Sequence, residues 1–448
     1  MALDETAFRA YDIRGIYPSS LNEEAVEKAA NAFRHFAKGK VLVAADPRVS
    51  SPSLKKAFIS GATKAGLDVV DLGMVPRGVL MYYGWRHKIA SGYISASHLP
   101  PEWNGLKVTL PDGLSFSEAD SQRLKQLVFS GDFHTASSPG KVSQLDALPE
   151  YLDYVASKIP KPGKRLKILL DIGNGSSGKT AKMLFEKSGF QVETVFEEPD
   201  GRFPNRESEL SVKSLEKSIS LANKFDVVVA FDGDADRIAL IDNKGRFVEP
   251  ETVANLIMSD LLEKEKGDII ANVECSKIIE LMAEKFNRKI HRVPVGYAYI
   301  VQALLEKGAC FGVEKSMHFF IRHILPFDDG LVAGLYSAYA LSNMDKPLSD
   351  FVDETPKYIS KTFNFEFPDD RKKFESIKSI EAGILEEFPK ANTLDGVRVD
   401  FDNSWALVRK SKTSPLIRVT VEARDMEEFN RLKGKFTGMV EKELERWA

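Results

Sequence analysis

Three aspartates at alternating positions follow an apolar run in FDVVVAFDGDADR, Phe225 to Arg237. Asp232, Asp234 and Asp236 converge on one side of a tight loop, where they would repel one another if uncompensated. A divalent cation removes that penalty and suits hard oxygen ligands. Mg2+ takes few protein oxygens and completes its octahedron with water or phosphate, so three aspartates leave room for a phosphoryl oxygen. An EF-hand needs Gly at the sixth position and Glu at the twelfth; here these are Arg237 and Asn243, so that reading fails. A phosphatase with an aspartyl nucleophile would carry it on the first strand of its core domain, and this loop comes late. A solvated acidic turn is the plain alternative, and it sits poorly at the end of a buried strand.

Other stretches carry residue types that could do chemistry, or could form plain surface turns. SGYISASHLPPEWNGLKV, Ser91 to Val108, runs from strand-forming Tyr93 and Ile94 into a turn rich in Pro, Asn and Gly. It presents Ser97 and His98 at a strand end, where α/β proteins place reactive groups. FRAYDIRG, Phe8 to Gly15, clusters Arg9, Tyr11 and Arg14, and guanidinium forks suit phosphate oxygens. RKSKTSPLIRV sets the hydroxyls of Ser411, Thr413 and Ser414 among Arg409, Lys412 and Arg418, which reads as a phosphate cradle or as a basic hairpin loop. GVEKSMH alternates Glu314, Ser316 and His318, which would place them on one side to hold vicinal sugar hydroxyls, or mark a polar strand edge.

These residues need a scaffold. Lys40–Asp46, Leu166–Ile172, Phe225–Asp232 and Gly267–Glu274 are continuous apolar runs, as in strands buried on both faces. Helical spacing lies between them, as at Leu215, Ile219, Ala222 and Phe225. The alternation predicts repeated α/β units to about residue 340. Beyond about 355 the period becomes two, at Phe363, Phe365 and Phe367, at Val397, Val399 and Phe401, and at Ile417, Val419 and Val421. That predicts an antiparallel sheet with one wet face. A closing helix carries Phe429, Leu432, Phe436, Met439 and Val440 on one stripe.

The chain has 448 residues with 62 basic and 65 acidic side chains, a net charge of −3. That near-balance argues against a nucleic-acid or membrane-surface protein. Cys275 and Cys310 lack metal-ligand spacing and read as two buried thiols of a reducing cytosol. The N-terminus lacks a signal-peptide core. Leu331–Leu341 is too short to span a bilayer. A cytoplasmic protein is expected.

Together these motifs resemble the α-D-phosphohexomutases. YDIRG, ASH…NGLK, DGDADR, GVEKSMH and RKSKTSP…R occur in the family's order and span nearly the whole chain, with DGRFPNR at Asp200–Arg206 and FDDG at Phe327–Gly330 also similar. The resemblance implies three related α/β domains with mixed sheets and a smaller C-terminal α+β domain around a central cleft. The expected domains are 1–150 with the serine loop, 151–249 with the metal loop, 250–352 with the sugar loop, and 353–448 with the phosphate loop. It implies that Ser97 is the phosphoserine, with His98 orienting it. Asn104 and Gly105 shape the loop, and Lys107 reaches into the cleft. Asp232, Asp234 and Asp236 would hold one Mg2+ against the Ser97 phosphate, and Arg14, Lys107 and Arg237 would supply positive charge and proton handling. Tyr11, Tyr297, Glu314, Ser316 and His318 would bind the sugar, and Arg409, Ser411, Lys412, Thr413 and Arg418 its distal phosphate.

The implied reaction interconverts hexose 6-phosphate and hexose 1-phosphate, of mannose or glucose, through a bisphosphate. Hexose 1,6-bisphosphate would serve as activator, and the protein would be a monomer or small homo-oligomer. A phosphoglucosamine mutase is the near alternative. A metal-dependent sugar phosphatase and a non-catalytic sugar-phosphate binder are the alternatives of other classes. The chain departs from the family's pattern at Lys412 and Ser414, where Gly and Glu are usual, and at Met317, where Gly is usual. Tyr297 stands where many relatives have His, and Leu99 where Asn is common before Pro100.

Overall fold

The apolar runs become the central strands of three sheets. In the computed structural model, which describes residues 4–411 and 416–447, the strand Lys40–Ala45 lies in parallel between Asp68–Met74 and Ala90–Ile94. A fourth strand, Trp103–Thr109, returns antiparallel along Ala90–Ile94. The sheet is extended by Asp12–Ile16 at one edge and Val142–Gln144 at the other. The second sheet repeats this plan: Lys167–Asp171 lies in parallel between Gln191–Val195 and Val227–Phe231, and Ile238–Asp242 returns antiparallel. The third repeats it again, with Ile269–Asn272 between Ile290–Val293 and Phe311–Val313, and Phe319–Ile321 returning. The units are therefore related in topology even where their residues differ.

This common plan positions the chemistry. In each unit the connection from the last parallel strand to the returning strand leaves a carboxyl-end edge, where open α/β sheets gather their functional loops. Those three connections hold Ser97, the DGDADR aspartates and the Glu314–His318 turn. Each also holds one non-glycine residue in the left-handed region: Ser97 at φ 54°, Ala235 at φ 58° and Met317 at φ 71°. Such conformations cost energy and persist where surrounding contacts over-determine them.

One buried cluster runs through all three units, from Leu42 and Tyr82 through Leu170 and Phe231 to Ile270 and Leu335. Leu331–Leu341 lies within the helix Gly330–Ser342, which is buried on every side. Its uniform apolarity thus reflects placement in the middle of the protein. Among the described residues no helix is long and apolar enough to cross a membrane. Cys275 and Cys310 are both buried and unbridged.

Two expectations need correction. The helical spacing of Leu215 to Phe225 yields only a short α-helix, Glu216–Leu221, followed by a 3-10 turn, Ala222–Lys224. Phe225 leaves the helix in extended conformation, because the next residues must enter the strand Val227–Phe231. The C-terminal sheet is antiparallel as expected, in the order Ile359–Glu366, Leu416–Ala423, Ser404–Lys410, Val397–Asp400. Its second face is not wet at the inner strands. The helices Asp370–Glu387 and Met426–Glu445 cover one face. On the other, Trp405 and Leu407 pack on Val273 and Val295 of the third unit. Period-two spacing reports one apolar face, and it is blind to a second face that buries polar residues against a neighbouring domain.

Candidate active site

The serine loop is built by a buried arginine. Arg48, fully buried after the strand Lys40–Ala45, pairs with Asp46 at 3.0 Å. Its guanidinium donates to the carbonyls of Ser97, Leu99, Pro100 and Trp103. A planar fork of five donors suits such a set of acceptors. Asn104 donates to the Ser50 and Ser51 hydroxyls and accepts from Gly105 N–H. Gly105 is required: a Cβ there would lie 2.6 Å from the Ser95 carbonyl and 2.7 Å from that of Ile13. The loop thereby turns the Ser97 hydroxyl toward the second unit, where it donates to Asp232 Oδ2 at 2.7 Å. The Ser97 N–H donates to Ser95 Oγ at 2.8 Å, and Ser95 Oγ donates to Asp234 Oδ2 at 3.0 Å. His98 Nδ1 lies 3.5 Å from Ser97 Oγ. Burial first, then Arg237, Arg14 and Lys107, pushes His98 far below its ordinary pKa, so its ring is neutral.

The three aspartates are buried to 2% exposure or less. Lys107 Nζ donates to Asp234 and Asp236 at 2.7 Å each. Burial opposes its charge, but these two carboxylates outweigh it and hold the lysine charged. Lys107 is thus placed to supply positive charge beside both carboxylates. Burial, and then Asp236 and Asp234, push Asp232 well above the usual carboxylate range. Asp236 is held well below it: burial opposes, and Lys107 and His318 prevail.

The residues present fit a metal. One oxygen from each of the three aspartates lies within 4.8 Å of the others. Asp234 Oδ1 is buried without a hydrogen-bond partner among the described residues, an orphan that a cation would satisfy. Asp236, His318 and Asp328 also approach one another. There Arg77 pairs with Asp328 at 2.6 Å, as Lys107 pairs with Asp234 and Asp236 in the trio; the trio is the cluster that lies against the Ser97 hydroxyl.

The third unit closes on this cluster through His318. The turn holds Glu314, Ser316 and His318 together by folding back, with Glu314 N–H donating to the His318 carbonyl, rather than by alternation along a strand. Ser316 Oγ lies 3.0 Å from His318 Nδ1 and 3.4 Å from Glu314 Oε2. Glu314 Oε1 accepts from Gly296 N–H at 2.8 Å and Asn272 Nδ2 at 3.2 Å. His318 Nε2 is 3.3 Å from both Asp236 Oδ1 and Arg237 Nε. It must carry a proton to serve Asp236 and lose it to serve Arg237. Burial and Arg237 lower its pKa, but the Asp236 and Glu314 carboxylates outweigh them and raise it to about 9, so the protonated ring prevails.

Arg14 pairs with Asp12 on the strand beside Gly105. Tyr11 donates to the Val295 carbonyl at 3.3 Å, at the junction of the first and third units. The Tyr297 ring carries the Arg77 guanidinium on its face at 5.0 Å, and its hydroxyl is buried without a hydrogen-bond partner among the described residues. Arg409 and Arg418 stand opposite each other on neighbouring strands, and Ser411 ends the described part of the cradle. Lys412, Thr413 and Ser414 lie outside the described residues.

Sequence reasoning missed Arg48 and Arg77. Arg77 bridges Asp328 of FDDG to the metal loop, at 3.4 Å from Asp236, and its N–H donates to the Asp234 carbonyl. Each follows a proline, as in Asp46-Pro-Arg and Val75-Pro-Arg, and no spacing ties either to a partner far along the chain. A cavity of about 600 Å3 between the helices Pro250–Lys264 and Leu348–Glu354 shares no residue with this site.

Comparison with known proteins agrees with this geometry. The chain matches "Phosphoglucomutase/phosphomannomutase, alpha/beta/alpha domain I" over residues 5–135, domain II over 149–245, domain III over 249–358 and the C-terminal domain over 363–438. It is 32% identical over 447 residues to the "Probable phosphoglucosamine mutase" of Methanopyrus kandleri, covering 98% of each chain. It is 32% identical over 450 residues to the "Phosphomannomutase/phosphoglucomutase" of Pseudomonas aeruginosa, covering 98% of this chain and 96% of the other. The crystal structure of a phosphoglucomutase/phosphomannomutase family protein from Burkholderia thailandensis superposes with a TM-score of 0.89 at 26% identity, over 99% of this chain and 98% of that one. With the four domains in order and relatives matched end to end, the chain belongs to the phosphoglucomutase/phosphomannomutase family of α-D-phosphohexomutases and is an enzyme of phosphoryl transfer.

Proposed function

We propose that the enzyme interconverts the 6-phosphate and 1-phosphate of mannose or glucose through a phosphoserine at Ser97 and a bisphosphorylated sugar. The observation that carries this reading is the Ser97 hydroxyl 2.7 Å from Asp232, inside a buried trio of aspartates. Asp232, Asp234 and Asp236 would hold one Mg2+, which when bound supplies the charge neutralisation that phosphoryl transfer requires. The free sugar hydroxyl attacks the phosphorus of phosphorylated Ser97. A sugar O–P bond forms, the Ser97 Oγ–P bond breaks, and the proton lost by the sugar hydroxyl ends on the departing Ser97 Oγ. The bisphosphate then turns, and its other phosphate returns to Ser97. Lys107, Arg14 and Arg237 add positive charge where it develops on the transferring group. His98 flanks Ser97 as a neutral ring. Glu314, Ser316 and His318 hold the sugar, with Tyr11 and Tyr297 beside them, and Arg409, Ser411, Lys412, Thr413 and Arg418 grip the phosphate that does not react. Hexose 1,6-bisphosphate would activate the enzyme by phosphorylating Ser97.

The relatives carry both phosphomannomutase/phosphoglucomutase and phosphoglucosamine mutase names, so the sugar must be read by experiment. Mannose, glucose and glucosamine 1-phosphates are compared in a coupled assay with Mg2+ and a trace of hexose 1,6-bisphosphate. Isomerisation of mannose or glucose phosphate that Ser97→Ala abolishes supports the proposal. Preference for the amino sugar transfers it to the glucosamine branch. Phosphate release without isomerisation overturns it in favour of a phosphatase.

A further inference from the structure

The arginine at the base of the cradle is already occupied. Arg409 is 6% exposed. Its Nε donates to Glu274 Oε1 at 2.9 Å and its Nη1 to Asp395 Oδ2 at 3.3 Å. A carboxylate and a phosphate engage a guanidinium through the same directed N–H···O contacts. Both acids therefore sit where a phosphate oxygen would bind.

The two are not equivalent. Asp395 belongs to the C-terminal domain, and its Oδ2 also accepts from Val295 N–H at 3.1 Å, which fixes it in place. Glu274 comes from the third unit, just beyond the strand Ile269–Asn272. Arg409 is the one hydrogen-bond partner of its carboxylate among the described residues, and its side chain is 22% exposed. Glu274 can thus swing toward water while Asp395 cannot.

Releasing Glu274 does not undock the domain. Arg398 Nη1 holds the carbonyls of Val273 and Cys275 at 2.6 and 3.0 Å. Glu422 Oε1 accepts from Ser276 Oγ at 2.9 Å and Lys277 N–H at 3.0 Å. These contacts lie behind Glu274 and do not pass through Arg409.

We infer that Glu274 is an internal competitor for the phosphate cradle: it takes Arg409 when the site is free and must be displaced by the substrate's non-reacting phosphate. This rests on the reading of the cradle as a phosphate site. In that reading the bisphosphate must leave the cradle and turn in every cycle. A carboxylate poised to retake Arg409 weakens the grip and speeds the release.

The test is Glu274→Gln, which keeps size and removes charge. Inorganic phosphate binding is measured by calorimetry, with Arg409→Gln identifying the fraction bound at the cradle. We expect the cradle Kd to fall about 2- to 5-fold, as for loss of one partly exposed charge pair. The KM for hexose phosphate should fall with it, and kcat should not rise. Glu274→Ala, which also removes packing, must move phosphate affinity in the same direction. Unchanged or weaker phosphate binding in both variants overturns the inference. If phosphate binds more tightly in the variants but no form of the protein isomerises hexose phosphate, the competitor stands and the mutase proposal falls. If Ser97-dependent isomerisation is intact and phosphate affinity does not move, the reverse holds.

Discussion

The serine end and the cradle end of the site are both rich in charge, but they use it differently. At the serine end, Lys107, Arg77 and His318 face Asp234, Asp236 and Asp328, all at most 5% exposed. These partners come from three different α/β units, so the charges also fasten the units together. Breaking one such pair leaves a buried ion uncompensated, which makes the arrangement stiff. At the cradle end, Arg409 is shared between a fixed aspartate and a glutamate that reaches water. That pair can be exchanged for a ligand at small cost. The comparison teaches that one network of charges is preassembled and the other exchangeable; under the proposed function the first serves transfer and the second the phosphate grip.

The largest expected effect breaks the serine end outright. Ser97→Ala should reduce isomerisation by at least about 10³-fold, since the phosphoryl carrier is gone; a coupled assay reads it, with Mg2+ binding by calorimetry retained. Next is Arg48→Met. Asp46 and four loop carbonyls lose their buried partner, which should cost about 3–5 kcal/mol in urea unfolding. A loss under about 1 kcal/mol would show that the loop holds itself.

Arg409→Gln sharpens the other half of the comparison. It should raise the KM for hexose phosphate about 10- to 100-fold, the worth of a charge-assisted contact, while leaving the Mg2+ affinity of the aspartates unchanged. Its sign is opposite to that of Glu274→Gln, and the same sign in both would dissolve the distinction between grip and competitor.

The smallest effect, taken per pH unit, concerns Asp329, beside Asp328 at the serine end. Burial raises its pKa to about 7, despite a hydrogen bond from Tyr151 and the capping of Val332 N–H. Its carboxyl is protonated in the fold below that pH and ionised in the unfolded chain above roughly pH 4. The folded state then binds the extra proton, so stability falls as pH rises through this window, by at most about 1.4 kcal/mol per unit. Asp329→Asn should flatten that slope in unfolding titrations, and an unaltered slope would show that Asp329 does not contribute to it.

Much of the architecture was legible in residue order. Continuous apolar runs such as Lys40–Asp46 marked central strands because a parallel strand covered on both faces has no polar side. The aspartates and Ser97 were legible because their turns carry local signals. The Met317 departure was legible too, and the structure gives it physical content: that residue sits at φ 71°, where glycine is favoured. The misreading of the C-terminal sheet has a long-range cause. The wet face assigned to the C-terminal sheet is filled by Trp405 and Leu407 against Val273 and Val295, and nothing near those residues announces the neighbour.

By itself, then, the sequence determined the candidate site residues and the order of the elements, because both are written in short-range spacing. Only the tertiary structure decided which charges meet. Ser97 and Asp232 are 135 positions apart, and Arg77 and Asp328 are 251 apart. It also decided that Arg409 faces a glutamate from another domain. Those pairings depend on how the units pack, and packing is set by summed burial over the shared core rather than by any local pattern.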